Sequence, residues 1–150
     1  MFRGRYEHAI DGKGRTSLPS RFREVLTSGG DSRLIITTGL EACLVAYSET
    51  EWVAFEQRLS QLPQFDASVT MLRRIYVSGA IECELDKMGR LLIPGPLRKH
   101  AGLERKVLWA GMGSHIELWD QGAYEVLRDE VLLDDERRTA MAKRLAELGL

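Results

Sequence analysis

The sequence predicts an α+β domain built by internal duplication, in which two copies share one core. Three observations carry that prediction. DGKGRTSLPSRFR, beginning at Asp11, and DKMGRLLIPGPLR, beginning at Asp86, place Asp, Gly, Arg, Pro and Arg at equivalent positions 75 residues apart. Each copy reads as a strand, a glycine turn, a second strand, a helix after a proline, and a hairpin. At 150 residues and 44% hydrophobic composition, the chain can fill one ordinary core but not two. The copies are therefore expected to complete each other as an intramolecular pseudo-dimer.

The elements follow in order. Tyr6, His8 and Ile10 alternate as one face of a first strand, and GRYEHAID lies over GAIECELD, where Ile81, Cys83 and Leu85 do the same. Beyond each glycine turn, Thr16 to Leu18 and Leu91 to Ile93 continue extended. Pro19 and Pro94 fit the first position of a helix, where a missing N–H costs nothing, and Gly29 and Gly102 can stop it. Those helices turn Phe22, Val25 and Leu26 inward in copy one, and Leu97 and Ala101 in copy two. The hairpins LIITT-GLEA-CLVAY and VLWA-GMGS-HIELW come next, each with glycine in the turn. Here the offset falls to 72, pairing Leu44 with Ile116 and Tyr47 with Trp119, as a single shorter loop in copy two would produce.

Between the copies, Trp52, Phe55 and Leu59 have helical spacing and Pro63 ends the run. A second helix is expected, capped by Asp66 or Ser68, with Val69, Leu72, Ile75 and Tyr76 on its apolar stripe. From Asp120 the chain reads as amphipathic helix, interrupted near Asp134, Asp135 and Glu136, with Ala140, Ala142, Leu145, Ala146 and Leu148 available to a neighbour. The expected organisation is a first repeat at 5–50, a helical connector at 51–78, a second repeat at 79–122 and C-terminal helices at 123–150.

The formal net charge of −1 conceals a segregated pattern. Residues 1–23 and 86–106, which contain the repeated motifs, each carry a net +4, whereas 24–85 and 107–150 carry −5 and −4. Two equivalent basic clusters point to an electropositive face for a polyanion. Cys43 and Cys83 stand apart from each other and from His8, His100 and His115, so buried thiols are expected, with no metal or cofactor. MFRGRYEHAID has charges where a secretory leader needs an apolar run, and a cytoplasmic protein, without membrane or small-molecule substrate, is expected. No GxSxG elbow, P-loop, HExxH or paired catalytic carboxylate occurs, so the chain does not read as an enzyme.

The repeated turn has its own chemistry. Asp11 and Asp86 can each accept backbone N–H groups, Gly14 and Gly89 can take a positive φ, and Arg15 and Arg90 then leave the turn in a fixed direction. A guanidinium held this way can grip phosphate or read O6 and N7 of guanine. On a single copy, simple pairing of Asp with Arg across a hairpin would be the better explanation; recurrence with basic flanks favours recognition. Trp109 and Trp119 sit at strand positions and read as core or interface, not as base-stacking platforms.

These residues resemble the MraZ family of transcriptional regulators, encoded with bacterial division and cell-wall genes. MFRG at the start, the two DxxxR motifs, KGRxxxPxxxR in copy one and GRLLIPxxLRxxAGL in copy two carry the resemblance, which runs through ELWD near residue 120. It implies a fold similar to AbrB and SpoVT, a swapped-hairpin β-barrel formed here from two tandem repeats of one chain. It further implies ring-shaped homo-oligomers, association with the nucleoid, and binding of double-stranded DNA at short G-rich direct repeats near the chain's own promoter. By position, Asp11, Arg15, Asp86 and Arg90 inherit the DNA-binding roles, joined by Lys13, whose counterpart is Met88. Arg21 faces Pro96 in the alignment and is at best a one-sided phosphate contact. The rival reading is an oligomeric scaffold whose arginine face grips an acidic protein partner.

Overall fold

The computed structural model describes residues 1–150, which form two compact units, Met1–Asp120 and Gln121–Leu150. Copy one supplies β1 (Arg5–Ala9), β2 (Arg15–Ser17), α1 (Ser20–Ser28), β3 (Arg33–Thr38) and β4 (Leu44–Ser48). The connector holds α2 (Glu49–Ser60) and α3 (Ala67–Leu72), the latter running into a π-helical turn, Arg73–Val77. Copy two supplies β5 (Ile81–Glu84), β6 (Arg90–Leu92), α4 (Gly95–Ala101), β7 (Lys106–Gly111) and β8 (Ile116–Asp120). The second unit is α5 (Gln121–Leu132) and α6 (Asp135–Glu147), which pack on each other, with the Asp134 side chain capping α6. No helix is long and apolar enough to cross a membrane.

The two copies interleave. A six-stranded antiparallel sheet has the order β1-β7-β8-β4-β3-β5, and β2 pairs with β6 in a separate two-stranded ribbon. Exchanging each strand for its counterpart reverses that order and leaves it unchanged, so the sheet has a pseudo-two-fold axis. Equivalent residues meet on this axis: Thr16 faces Leu91 in the ribbon, and Val45 faces Glu117 between β4 and β8. Strand β1 finds its ladder partner only in β7, and β5 only in β3, so each copy's first strand is paired by the other copy's hairpin.

Period-two alternation assigns the two faces of the sheet. Leu34, Ile36, Leu44, Ala46, Val107, Trp109, Ile116 and Leu118 point to the main core. Leu18, Leu91 and Ile93 from the ribbon, Phe22 and Leu26 from α1, and Leu97 and Ala101 from α4 close that core. Phe22 anchors edge-to-face contacts with Phe2 and Tyr6 at 5.5 and 5.2 Å. On the opposite face, Ile35, Val45 and Tyr47 pack with Trp52 of α2, joined by Phe55 and Tyr76. The Ser48 hydroxyl caps α2, and Asp66 caps α3 by accepting from Ser68 and Val69.

The structure differs from the sequence expectations in three places. The sheet is not closed into a barrel by hydrogen bonds: β1 and β5 remain its edges. After a single bridge between Ile10 and Thr16, the Asp11 turn directs β2 away to pair with β6 instead of extending the sheet. Pro19 and Pro94 are the extended N-caps, one residue before the positions expected; Pro19 offers its carbonyl to the N–H groups of Phe22 and Arg23. The change in offset also comes in two steps. α1 has nine residues and α4 seven, which brings the offset to 73 in β3 and β7. A hairpin loop shorter by one residue then brings it to 72, since Leu34 faces Ser48 whereas Val107 faces Asp120.

Candidate nucleic-acid interface

Each motif folds into the same closed turn. In copy one, Asp11 N–H donates to the Arg15 carbonyl at 3.0 Å and Gly14 N–H donates to the Asp11 carbonyl at 3.0 Å. Asp11 Oδ1 accepts from the backbone N–H groups of Lys13 and Arg15, both at 2.9 Å. The other carboxylate oxygen accepts from Arg15 Nε at 2.7 Å. Copy two repeats every bond: Asp86 to Arg90 and Gly89 to Asp86 at 2.9 and 3.0 Å, Oδ1 to Met88 and Arg90 N–H at 2.9 and 2.8 Å, and Oδ2 to Arg90 Nε at 2.9 Å. The aspartate thus occupies one edge of the guanidinium, and the terminal amino groups of Arg15 and Arg90 stay available for an outside acceptor. Pairing and presentation are compatible, because the pair aims the arginine.

The ribbon brings the two turns together. Arg15 faces Leu92 and Ser17 faces Arg90, so the motif arginines are diagonal neighbours, about 7–8 Å apart between Cα atoms. Thr16 and Leu91 between them point inward and are buried, which forces both arginines outward. Met88 is 70% exposed and Leu92 59% exposed, giving copy two an apolar rim where copy one has Lys13 and Ser17. The Ser17 hydroxyl and His8 Nδ1 share a 2.8 Å hydrogen bond.

Contacts across the pseudo-axis hold the turns. Leu18 N–H donates to the Gly89 carbonyl at 2.9 Å, and Ile93 N–H donates to the Gly14 carbonyl at 2.8 Å. Both glycines are buried with positive φ, +90° at Gly14 and +74° at Gly89. The side of Gly89 where a Cβ would project is covered by the Arg23 guanidinium, and that of Gly14 by Arg98. Neither arginine was given a site role on sequence grounds, although the recurring Arg that ends the motif was the available signal.

The turn hydrogen bonds also set its electrostatics. The backbone N–H of Arg15, followed by its side chain, holds the Asp11 carboxyl down at about 2. Asp86 is lowered for the same reasons, the Arg90 backbone N–H first. A folded-state value below the ordinary 3.8 means that the turn's stabilisation is complete above that pH and is lost as pH falls toward 2. A carbon-detected NMR titration of the carboxyl groups should therefore place the Asp11 midpoint near 2 and Asp86 below an unperturbed aspartate. An Asp11 midpoint at 3.8 would show that the turn is open in solution.

The remaining residues sort by position. Lys13 extends from an exposed turn residue, whereas Arg21 is exposed on α1 and engages Glu24 at 3.6 Å, away from the ribbon pairing. Trp109 and Trp119 are buried in the sheet, as expected, with the Trp119 indole N–H donating to Glu117 at 2.6 Å. Cys43 and Cys83 are buried free thiols, pushed up by burial to about 12 and about 11. A concavity of about 720 Å³ is floored by Phe2, Tyr6, Phe22 and Val25 and contains no DxxxR residue.

This duplicated site has relatives. A family model described as "MraZ protein, putative antitoxin-like" matches residues 1–75 and again residues 76–147. The chain is 40% identical over 150 residues to a protein named transcriptional regulator MraZ from Thioalkalivibrio sulfidiphilus, and 44% identical over 150 residues to one so named from Alkaliphilus metalliredigens. A third, from Alkaliphilus oremlandii, is 42% identical over 151 residues, and all three alignments cover 100% of both chains. Two tandem matches and full-length similarity lead to one conclusion: the chain belongs to the MraZ family.

Proposed function

We propose that this chain is a transcriptional regulator that binds double-stranded DNA through Arg15 and Arg90, with Lys13 adding charge and Asp11 and Asp86 orienting the two guanidinium groups. The observation that carries this reading is the pair of identical turns at the two ends of the β2–β6 ribbon, each directing an arginine outward. Each lies in a segment of net charge +4 in an otherwise acidic chain. The names of the relatives support regulation of transcription. Two arginines make a small footprint against a specific interface of about 1,000–2,500 Å² of protein surface. We infer that a homo-oligomer, such as a ring, repeats this face along short G-rich direct repeats near the chain's own promoter. Linkage of that kind raises affinity about 10²–10⁴-fold without new contacts.

Footprinting on the DNA upstream of the chain's own gene tests the proposal. Protection should cover successive repeats, and the logarithm of affinity should fall with the logarithm of salt by about 0.9 per neutralised phosphate. Inserting roughly five base pairs between repeats should turn one site away from the protein and lower affinity far more than scrambling the spacer at constant length. A monomer by light scattering that binds one repeat as tightly as the tandem array would overturn the oligomeric mechanism. Binding to acidic proteins but to no duplex would overturn the DNA reading.

A further inference from the structure

We propose that Arg23 and Arg98 are positioning residues, each holding the arginine-presenting turn of the opposite copy, an inference that rests on reading those turns as the DNA contacts. Both close the repeated motif, and both stand early in the helix after the proline, Arg23 in α1 and Arg98 in α4. An arginine on a surface helix ordinarily extends into water. Here each reaches across the pseudo-two-fold axis onto a buried glycine.

At Gly89, Nη1, Cζ and Cδ of Arg23 lie 2.5, 2.9 and 3.0 Å from where a Cβ would stand. At Gly14, the Ile93 carbonyl oxygen lies 2.6 Å from the equivalent point, and Nε and Cζ of Arg98 lie 2.8 and 3.0 Å from it. Each guanidinium therefore covers its glycine; a larger residue at Gly89 would displace Arg23, and one at Gly14 would meet both Arg98 and the Ile93 carbonyl. Arg23 is itself fixed by donating to the Leu18 carbonyl at 2.7 Å, while the Leu18 N–H holds the Gly89 carbonyl. One residue of copy one thus links the brace to the turn of copy two. In the other half, Ile93 N–H holds the Gly14 carbonyl and Arg98 Nε is buried without a hydrogen-bond partner, so Arg98 braces by packing.

The consequence for recognition follows from chain order. Arg90 and Arg15 are the residues directly after Gly89 and Gly14, so a rotation at either glycine swings the arginine that follows it. A base contact tolerates only about 0.5 Å of misplacement, which makes a preset turn part of the recognition apparatus. Each arginine turn is therefore held by the copy to which it does not belong. Arg23 governs Arg90, and Arg98 governs Arg15.

The crossed assignment can be tested without DNA. Amide hydrogen exchange is measured on the full chain carrying Arg23→Ala or Arg98→Ala. In Arg23→Ala, the N–H groups of Gly89 and Arg90 should exchange about tenfold faster while those of Gly14 and Arg15 stay unchanged; Arg98→Ala should give the reverse. Arg23→Met and Arg98→Met, which keep an apolar stem over the glycine, should show the same crossed pattern if an alanine variant fails to fold. With DNA, Arg23→Ala should be less than additive with Arg90→Ala and additive with Arg15→Ala. Faster exchange in the turn of the same copy, or in neither turn, overturns the brace. So does equal coupling of Arg23 to both motif arginines, or a uniform loss across DNA sequences with a salt slope reduced by about 0.9, the mark of a phosphate contact. Crossed exchange in a chain that binds no duplex would retain the brace and reject the DNA reading. DNA binding without crossed exchange would do the opposite.

Discussion

Fragments 1–62 and 66–150, made separately, will lack the sheet and will recover it on mixing. The reason is the interleaved pairing. Alone, the first fragment keeps only the β3–β4 hairpin, because the partners of β1 and β2 are β7 and β6. The second keeps only β7–β8, because β5 pairs with β3. A lone two-stranded hairpin is marginal in water. The main core is divided the same way: Phe22, Leu26, Leu34 and Ile36 would lose Leu91, Ile93, Trp109 and Leu118. Trp109 is fully buried in the intact protein, so its fluorescence should shift to shorter wavelength when the fragments associate. Because α5 and α6 can contribute helical signal by themselves, strand content and Trp109 emission are the decisive readings. A cooperative unfolding transition from either fragment as a monomer would show that a copy can close its own core.

The largest effect on binding is expected from replacing Arg15 and Arg90 together with alanine. If each makes a bidentate base contact, the pair accounts for roughly 2–6 kcal/mol of discrimination, at about 1–3 kcal/mol apiece. The single variants should each weaken operator binding, and the double variant should leave mainly salt-sensitive, sequence-independent association. Folding should hardly change. Exposed Asp–Arg pairs contribute little to stability, and the aspartates still accept the backbone N–H groups that close each turn. Circular dichroism and light scattering establish that the variant is folded and assembled, and fluorescence anisotropy with the operator reads the loss. A folded double variant that binds its operator unchanged would remove the arginines from the interface.

Much of the fold was legible because its signals are local or periodic. The 75-residue offset located equivalent strands, turns and helices, and the spacing of Trp52, Phe55 and Leu59 located α2. Of the two candidate caps, Asp66 and Ser68, Asp66 takes the role because its carboxylate serves amides two and three residues away. Long-range geometry was not legible. Nothing in the motif states that Thr16 faces Leu91, or that Arg23 seats on a glycine 66 positions along the chain. The two-step offset was hidden because a shorter helix and a shorter hairpin loop leave the same total deletion as one short loop. The turn itself was readable in outline from Asp, Gly and Arg at that spacing, while the simultaneous pairing and presentation of each arginine depends on which edge of the guanidinium the folded turn engages.

The self-pairing of Thr16 and Leu91 bears on direction along DNA. A ribbon whose two ends are related by a two-fold rotation has no front or back, so its paired arginines alone meet a duplex equally well either way round. A palindrome matches that indifference, but a direct repeat has an arrow. Any sense of the arrow must come from positions where the ends differ, and in the exposed turns and on the outer face these are Gly12 against Lys87, Lys13 against Met88 and Ser17 against Leu92. The end that presents Arg15 has Lys13 in its turn and Leu92 across the ribbon; the end that presents Arg90 has Lys87 and Met88 in its turn and Ser17 across the ribbon. The motif shared by the copies would supply grip, and these unshared side chains would supply polarity.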